Sequence, residues 1–194
     1  MARMIYVTNM SVDGYIEDES GSFDFGPPDD DVFRTCTDLV RAAGTLLYGR
    51  RLYESMAVWE TDTTLAAQSD LMADFAHAWQ AADKIVYSTT LATTSTGSTL
   101  IERRFDPAAV RELKDAATSD LLVGGADLAS QALEAGLVDE CQLFVWPAVA
   151  GAGKPALSIH RRVDLELIDE RRYPGGVVLL RYRVRGEDHG AGTR

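Results

Sequence analysis

The chain has 194 residues, 46% of them hydrophobic and 25% charged, which suits one globular domain with a sizeable core. Its net charge of −11, from 19 Lys and Arg against 30 Asp and Glu, opposes nucleic-acid binding, which needs a basic face to displace counterions. No apolar run approaches the roughly 20 residues needed to cross a bilayer, so no membrane partner is expected.

The start, MARMIYVTNMSVDGYI, has no charged segment followed by an uninterrupted apolar one, so no export signal is read and a cytoplasmic location is expected. A first strand is predicted over Met4–Met10, followed by the Gly-, Pro- and Asp-rich loop DESGSFDFGPPDDD. In DDVFRTCTDLVRAAG, residues Val32, Phe33, Cys36, Leu39, Val40 and Ala43 recur at helical spacing, with acids at the start and Gly44 as the stop. TLLYG is a second strand and RLYESM a helical turn. LAAQSDLMADFAHAWQAAD reads as one amphipathic helix, KIVYS as a strand and LATTSTGST as a turn-rich connector.

DPAAVRELKDAA is a helix with Pro107 in its first turn. DLLVGG is a strand ending in two glycines, and ADLASQALEAG a helix stopped by Gly136. ECQLFVWPAVA is a strand, and DLELIDERRYPGGVVLLRYRV gives two more around YPGG. A single domain over residues 1–185 with a frayed polar tail at 186–194 is expected. The alternation predicts the α/β class: a mostly parallel central sheet, helices on both faces and an antiparallel C-terminal hairpin. Cys36 and Cys141 read as buried free thiols. His77, His160 and His189 share no metal-ligand spacing, and no CxxC exists, so no metal site is expected.

Three strand ends carry groups suited to phosphate. Gly124 and Gly125 precede a helix, whose free N–H groups and positive dipole end favour anions, and glycine lets a ligand approach the backbone. The same pair also suits a plain strand-to-helix turn, and GxGxxG is absent. Gly49, Arg50 and Arg51 follow another strand, where the guanidinium fork can clamp phosphate or simply face solvent. Ser88, Thr89 and Thr90 follow a third and can bond phosphate or cap a loop. AGAGKP at 150–155 departs from the phosphate-loop pattern and reads as a turn. Asp29, Asp30 and Asp31 include a candidate proton donor, or compensate a helix dipole. Taken in order, the three strand ends fall on one rim of a parallel sheet, which suggests an extended, multiply phosphorylated ligand.

Four stretches, MSVDGYI, LLYGRRLYESM, KIVYSTTL and DLLVGGADLASQALEAGLVDECQLFVWPAVAGAGKP, together resemble the dihydrofolate reductase-like superfamily. Within it the chain is similar to the C-terminal reductase domain of the bifunctional riboflavin-biosynthesis enzymes, as a stand-alone member. The resemblance covers about residues 3–184. It implies a three-layer dihydrofolate reductase-like fold and NADPH as cofactor. It also implies cofactor contacts at Gly49, Arg50 and Arg51, at Ser88, Thr89 and Thr90, and at Gly124, Gly125, Ala126, Asp127 and Leu128. Thr8, Asn9 and Ile16 are implied beside the nicotinamide, and Ser11, Asp13 and Gly14 beside the substrate.

Folate reductases place one carboxylate on the first helix; here three acids stand in that region, and Asp30 is taken as the catalytic candidate. The HxE and PCxxC signature of the deaminase domain is absent, which excludes that step for this chain. The expected function is NADPH-dependent hydride transfer to a small heterocycle, such as 5-amino-6-(5-phosphoribosylamino)uracil. The alternatives are a dihydrofolate or pteridine reductase and a nucleotide-binding protein without turnover. The resemblance further implies a cis peptide between Gly124 and Gly125. A homodimer is expected, through ECQLFVWPAVA and the final hairpin.

Overall fold

The computed structural model describes residues 2–26 and 29–186, so the tail expected over 186–194 lies outside the described residues beyond Gly186. Strand β1 (Met4–Ser11) is followed by the short β2 (Tyr15–Glu17), helix α1 (Asp30–Ala42), β3 (Ala43–Gly49) and α2 (Arg50–Met56). Then come α3 (Val58–Thr61), α4 (Thr63–Ala66), α5 (Asp70–Ala81), β4 (Asp83–Tyr87), β5 (Thr99–Glu102) and α6 (Pro107–Ala116). The chain continues through β6 (Asp120–Gly124), α7 (Ala126–Glu134), β7 (Glu140–Trp146), β8 (Lys154–Pro155), β9 (Leu165–Arg172) and β10 (Val178–Val184). Among the described residues the main sheet has eight strands in the order β5-β4-β3-β6-β1-β7-β10-β9, and β2 pairs with β8 in a small second sheet. Pairings from β5 to β7 are parallel, and β10 runs antiparallel to both β7 and β9.

Apolar runs rather than alternation mark the central strands because both faces are covered. Met4, Tyr6, Leu47, Leu121 and Val123 pack on one face with Leu128, Ala132 and Val110. Ile5, Leu46, Tyr48, Val86 and Leu122 pack on the other with Val40, Phe75 and Trp79. A third cluster, Val32, Phe144, Trp146, Tyr173 and Leu179, joins α1 to the hairpin. The helices explain the three layers: each turns its apolar stripe onto one face of the sheet.

Helix α1 begins where Asp29 accepts a hydrogen bond from the Val32 N–H (2.8 Å), which satisfies one of the free first-turn donors. Its end differs from the glycine stop. Ala43 is already extended (φ −82°, ψ 137°) and leads straight into β3, so Gly44 lies inside a strand. The single helix expected over 65–83 is divided. Ser69 accepts from the Met72 N–H (3.2 Å) and starts α5, while α4 is a separate turn capped by Asp62. A serine offering an N-cap outweighed continuous apolar spacing. Gly136 (φ +65°) does end the following α7, with the Leu137 N–H reaching the Ala132 carbonyl.

Strand β5 begins at the last residue of the connector LATTSTGST and continues into a stretch where the sequence predicts no element, because four residues with alternating exposure leave almost no apolar signal. The ground for pairing copies through ECQLFVWPAVA also fails. β7 is covered on both edges by β1 and β10, and all of its residues except Val145 are buried. The free edges are β5 and β9, and β9 carries the charged sequence LELIDERR, a composition that discourages edge pairing.

Candidate functional site

β1 lies between β6 and β7 but does not follow both equally. It pairs with β6 only over Met4–Tyr6, against Leu121–Val123, while its pairing with β7 continues to Ser11. β6 ends at Gly124, so from Val7 onward β1 runs on beyond it and its edge on that side has no strand partner. Burial follows this geometry: Met4, Ile5 and Tyr6 are buried, Val7 and Thr8 half-buried, and Asn9 exposed on a central strand. The carboxyl ends of the strands are where open α/β sheets take ligands.

The ends of β4, β3, β6 and β1 stand side by side on this rim. Gly49 pairs with Tyr87 and Tyr48 with Gly124, so Ser88–Thr90, Gly49–Arg51 and Gly124–Leu128 follow one another across adjacent strands, about 4.8 Å apart. Arg50 Nη1 donates to Thr90 Oγ1 at 3.1 Å, which brings two of the predicted groups into contact, and Arg50 Nε stands 3.7 Å from Glu54. Ser88 Oγ accepts from the N–H groups of Thr90 (3.2 Å) and Leu91 (2.9 Å), so this hydroxyl caps the loop, while Thr89 is exposed. Arg103 donates to the Ser88 (3.1 Å) and Leu91 (2.7 Å) carbonyls and adds a cation to this end of the rim. Its signal was IERRF, an arginine pair after a strand, which went unread because β5 did.

The glycines divide the work between them. A Cβ at Gly124 would lie 2.6 Å from Leu52 Cδ2 and 3.1 Å from the Tyr48 ring, so a larger residue there would have to displace the Leu52 side chain. Gly125 caps α7 at φ +87° and ψ 129°, a conformation that L side chains rarely adopt, and a Cβ there would meet only Leu52 Cδ2 at 4.0 Å. The cis peptide expected between them is absent; no described peptide bond is cis. The positive φ of Gly125 makes the turn from strand to helix with a trans bond. Gly49 differs from both. Its φ is −74° and a Cβ there would meet nothing within 4 Å. Neither backbone geometry nor packing within the chain calls for glycine at that strand end.

On the β1 side, the SVDG stretch is a turn in which the Gly14 N–H bonds the Ser11 carbonyl (2.9 Å) and Gly14 has φ +87°. Ser11 Oγ accepts from the Tyr15 N–H at 3.0 Å. Asp13 accepts from the N–H groups of Ala150 (3.0 Å) and Gly151 (2.7 Å). Hydrogen bonding to Ser11 and to these amides holds its carboxyl down at about 2. The polar atoms of Ser11 and Asp13 are thus engaged by the chain's own backbone, and the exposed Asp13 ties the turn after β1 to the loop after β7. Tyr6 reinforces the tie by donating to the Ala156 carbonyl (2.6 Å). Thr8 Oγ1 donates to the Asn9 carbonyl (3.2 Å), Ile16 is half-buried in β2, and Asn9 Oδ1 accepts from Trp146 Nε1 at 2.9 Å. Trp146, which sequence reading passed over, therefore backs the exposed half of β1.

Asp30 does not join this group. Its side chain is 74% exposed and pairs with Arg34 one turn along α1 (3.2 Å). Asp29, beside it, is occupied by the helix cap and by the Gly175 N–H (2.9 Å), which lower its pKa. The geometry gives Asp30 the role of a solvated dipole-compensating acid. Burial pushes the thiols of Cys36 and Cys141 up to about 12, which makes them unreactive.

Comparison with known proteins agrees with this architecture. A curated relative, the uncharacterized protein YyaP of Bacillus subtilis (strain 168), is 28% identical over 186 residues, covering 95% of this chain and 96% of that one. Among solved structures, a putative riboflavin biosynthesis protein from Shewanella sp. PV-4 superposes with a TM-score of 0.75 at 18% identity, over 96% of this chain and 100% of that one. A pyrimidine reductase-like protein from Corynebacterium diphtheriae gives 0.63 at 14% identity, over 96% and 93%. A deaminase/5-amino-6-(5-phosphoribosylamino)uracil reductase from Thermotoga maritima gives 0.63 at 12% identity, and there the match spans 95% of this chain and 57% of the larger protein. The model of the RibD C-terminal domain family matches residues 2–179, nearly the whole described chain, and to that family this protein belongs.

Proposed function

We propose that the protein is an NADPH-dependent reductase that transfers hydride to a small heterocycle of the 5-amino-6-(5-phosphoribosylamino)uracil type. Gly49 is the observation that carries this reading. It is a glycine at a strand end with ordinary φ and open space where a Cβ would stand, which is what close approach of a ligand to the backbone requires. The neighbouring groups fit a dinucleotide phosphate chain. Arg50, Thr89 and Thr90, with Arg103 behind them, meet the phosphate of the adenosine ribose. Gly124, Gly125, Ala126, Asp127 and Leu128 lie under the diphosphate, where α7 begins without a side-chain cap.

Bound NADPH supplies the hydride. The chain supplies position: Thr8, Asn9 and Ile16 border the nicotinamide end of the rim, with Trp146 holding the Asn9 amide. The Ser11–Gly14 turn shapes the substrate end through the loop it holds. A solvated Asp30 favours no folate-type proton donation, so the pyrimidine reading is preferred to the folate one. Two copies pair, in this reading, through the outer face of the C-terminal hairpin, where Leu167 is 47% exposed.

The test is a fluorescence titration with NADPH followed by loss of reduced-nicotinamide absorbance with a panel of aminopyrimidines and dihydrofolate. Micromolar binding and turnover of a pyrimidine are expected. No detectable binding at millimolar NADPH would sink the reading, and turnover of dihydrofolate alone would replace it.

A further inference from the structure

Four charged side chains from four elements close around the end of β6. Arg51, on α2, pairs with Glu17 on β2 (3.2 Å). Glu17 stands opposite Lys154 in the β2–β8 register. Lys154 pairs with Asp127 in the first turn of α7. α2 follows β3 and β2 follows β1, and in the sheet β6 lies between β3 and β1. The Arg51–Glu17 pair therefore reaches across the end of the strand that carries Gly124 and Gly125, and the Lys154–Asp127 pair stands on the α7 side, linked to it through the Glu17–Lys154 register. Leu52, next to Arg51, lies against Gly124.

The two carboxylates are held differently. Glu17 is 18% exposed, and its backbone is pressed against the AGAGKP loop so closely that a Cβ at Gly153 would lie 2.0 Å from the Glu17 carbonyl oxygen. Gly21 also lies over Arg51, with its Cβ position 3.6 Å from Nη2. Asp127 is 74% exposed and can turn into water. An anion entering this group meets two cations whose present partners are one fixed and one movable acid.

We propose that the diphosphate of the dinucleotide takes over Arg51 and Lys154 from Glu17 and Asp127, so that Lys154 is a cofactor-binding residue and Glu17 a built-in competitor that weakens cofactor affinity. The proposal rests on the reading of this rim as a dinucleotide site. Asp127 releases Lys154 by swinging to solvent. Glu17 cannot leave, because the Gly153 contact fixes its strand, and its charge stays beside the diphosphate it competes with. The ring also gives AGAGKP a purpose that its failed phosphate-loop pattern concealed: the loop delivers a lysine to the start of α7.

The experiment compares wild type with Glu17→Gln, Lys154→Met and Asp127→Asn, titrated by calorimetry with NADPH and with ADP-ribose, which carries the diphosphate but no nicotinamide. Melting temperatures are recorded for each. Lys154→Met should weaken both ligands by about tenfold, the loss of one charge-assisted contact. Glu17→Gln should tighten both by about threefold or more, an effect that misfolding cannot produce. Asp127→Asn should change affinity less than Glu17→Gln. Unchanged or weakened binding in Glu17→Gln, in a protein whose wild type binds NADPH, overturns the competitor and leaves the reductase reading intact. Unchanged binding in Lys154→Met overturns the cation's role. A wild type that binds ADP-ribose but not NADPH, with the same order of variants, supports the ring and sinks the reductase reading; one that binds neither overturns both.

Discussion

The two ends of the central sheet handle charge in opposite ways. At the amino ends, Arg3 binds Asp120 and Glu140, while Arg181 binds Glu140 and Asp169. Gln142 donates to the same Glu140 carboxylate (2.7 Å), whose side chain is only 4% exposed. Arg3, Arg181 and Glu140 each have two or more partners, and the network welds the starts of β1, β6 and β7 to the antiparallel β10. At the carboxyl ends, each cation has few acidic contacts, the glycines leave backbone uncovered, and β1 runs on beyond the end of β6. One end is saturated, as a structural brace needs to be, and the other keeps hydrogen-bonding capacity.

The largest break in this contrast is expected from Glu140→Ala. It leaves two arginines without their shared carboxylate and should cost about 3 kcal/mol of stability, less than a fully buried pair because both guanidiniums reach water. Urea unfolding measures it, and NADPH affinity of the folded protein should be unchanged. A loss of affinity without a loss of stability would reverse the assignment of the two ends.

Next is Gly124→Ala, which forces a methyl against Leu52 and Tyr48 and should cost about 1–3 kcal/mol through overpacking. Gly49→Ala sharpens the comparison, because it meets nothing in the chain. Its melting temperature should hold while NADPH affinity falls by about tenfold. Equal affinity in Gly49→Ala would show that no ligand approaches that strand end.

Arg50→Ala should weaken NADPH by about tenfold, the lower end for a charge-assisted bond at a half-exposed site. NADH should be affected less, and equal losses for the two would move Arg50 from the ribose phosphate to the diphosphate.

The smallest effect concerns Asp13. Its folded pKa is lowered from 3.8 to about 2 by hydrogen bonds to Ser11, Ala150 and Gly151. The carboxylate therefore contributes stability that is fully present above its unfolded pKa and is lost as pH falls towards about 2. Asp13→Asn should be less stable than wild type at neutral pH, with the difference vanishing over the window from about pH 4 to about pH 2. A difference that persists unchanged at pH 2 would show that side-chain shape rather than charge holds the loop.

Much of the fold was legible in the chain because the signals were local. Buried strands such as DLLVG are short apolar runs bounded by turns, and α6 has Asp106 and Pro107 at its start. The signals failed where two local rules competed. Ser69 could continue a helix or cap a new one, and Gly44 could stop a helix or sit in a strand. β5 and β8 are too short to carry a pattern, and their loss hid Arg103 and Lys154, whose placement depends on those strands.

By itself the sequence determined the α/β class, the parallel order of the phosphate-suited strand ends and the family pattern, since composition, periodicity and turn chemistry act within a few residues. Only the tertiary structure decided what each candidate does. Ser11 was buried beneath its turn, the exposed Asp13 was engaged by amides of the loop after β7, and Asp30 was turned out to solvent. Gly124 and Gly125 were given separate tasks by Leu52 and by backbone φ. Glu17 and Lys154 met Arg51 and Asp127 across the end of β6. Such pairings join residues tens of positions apart, so their energy depends on where the sheet sets each loop, and no local pattern can encode that distance.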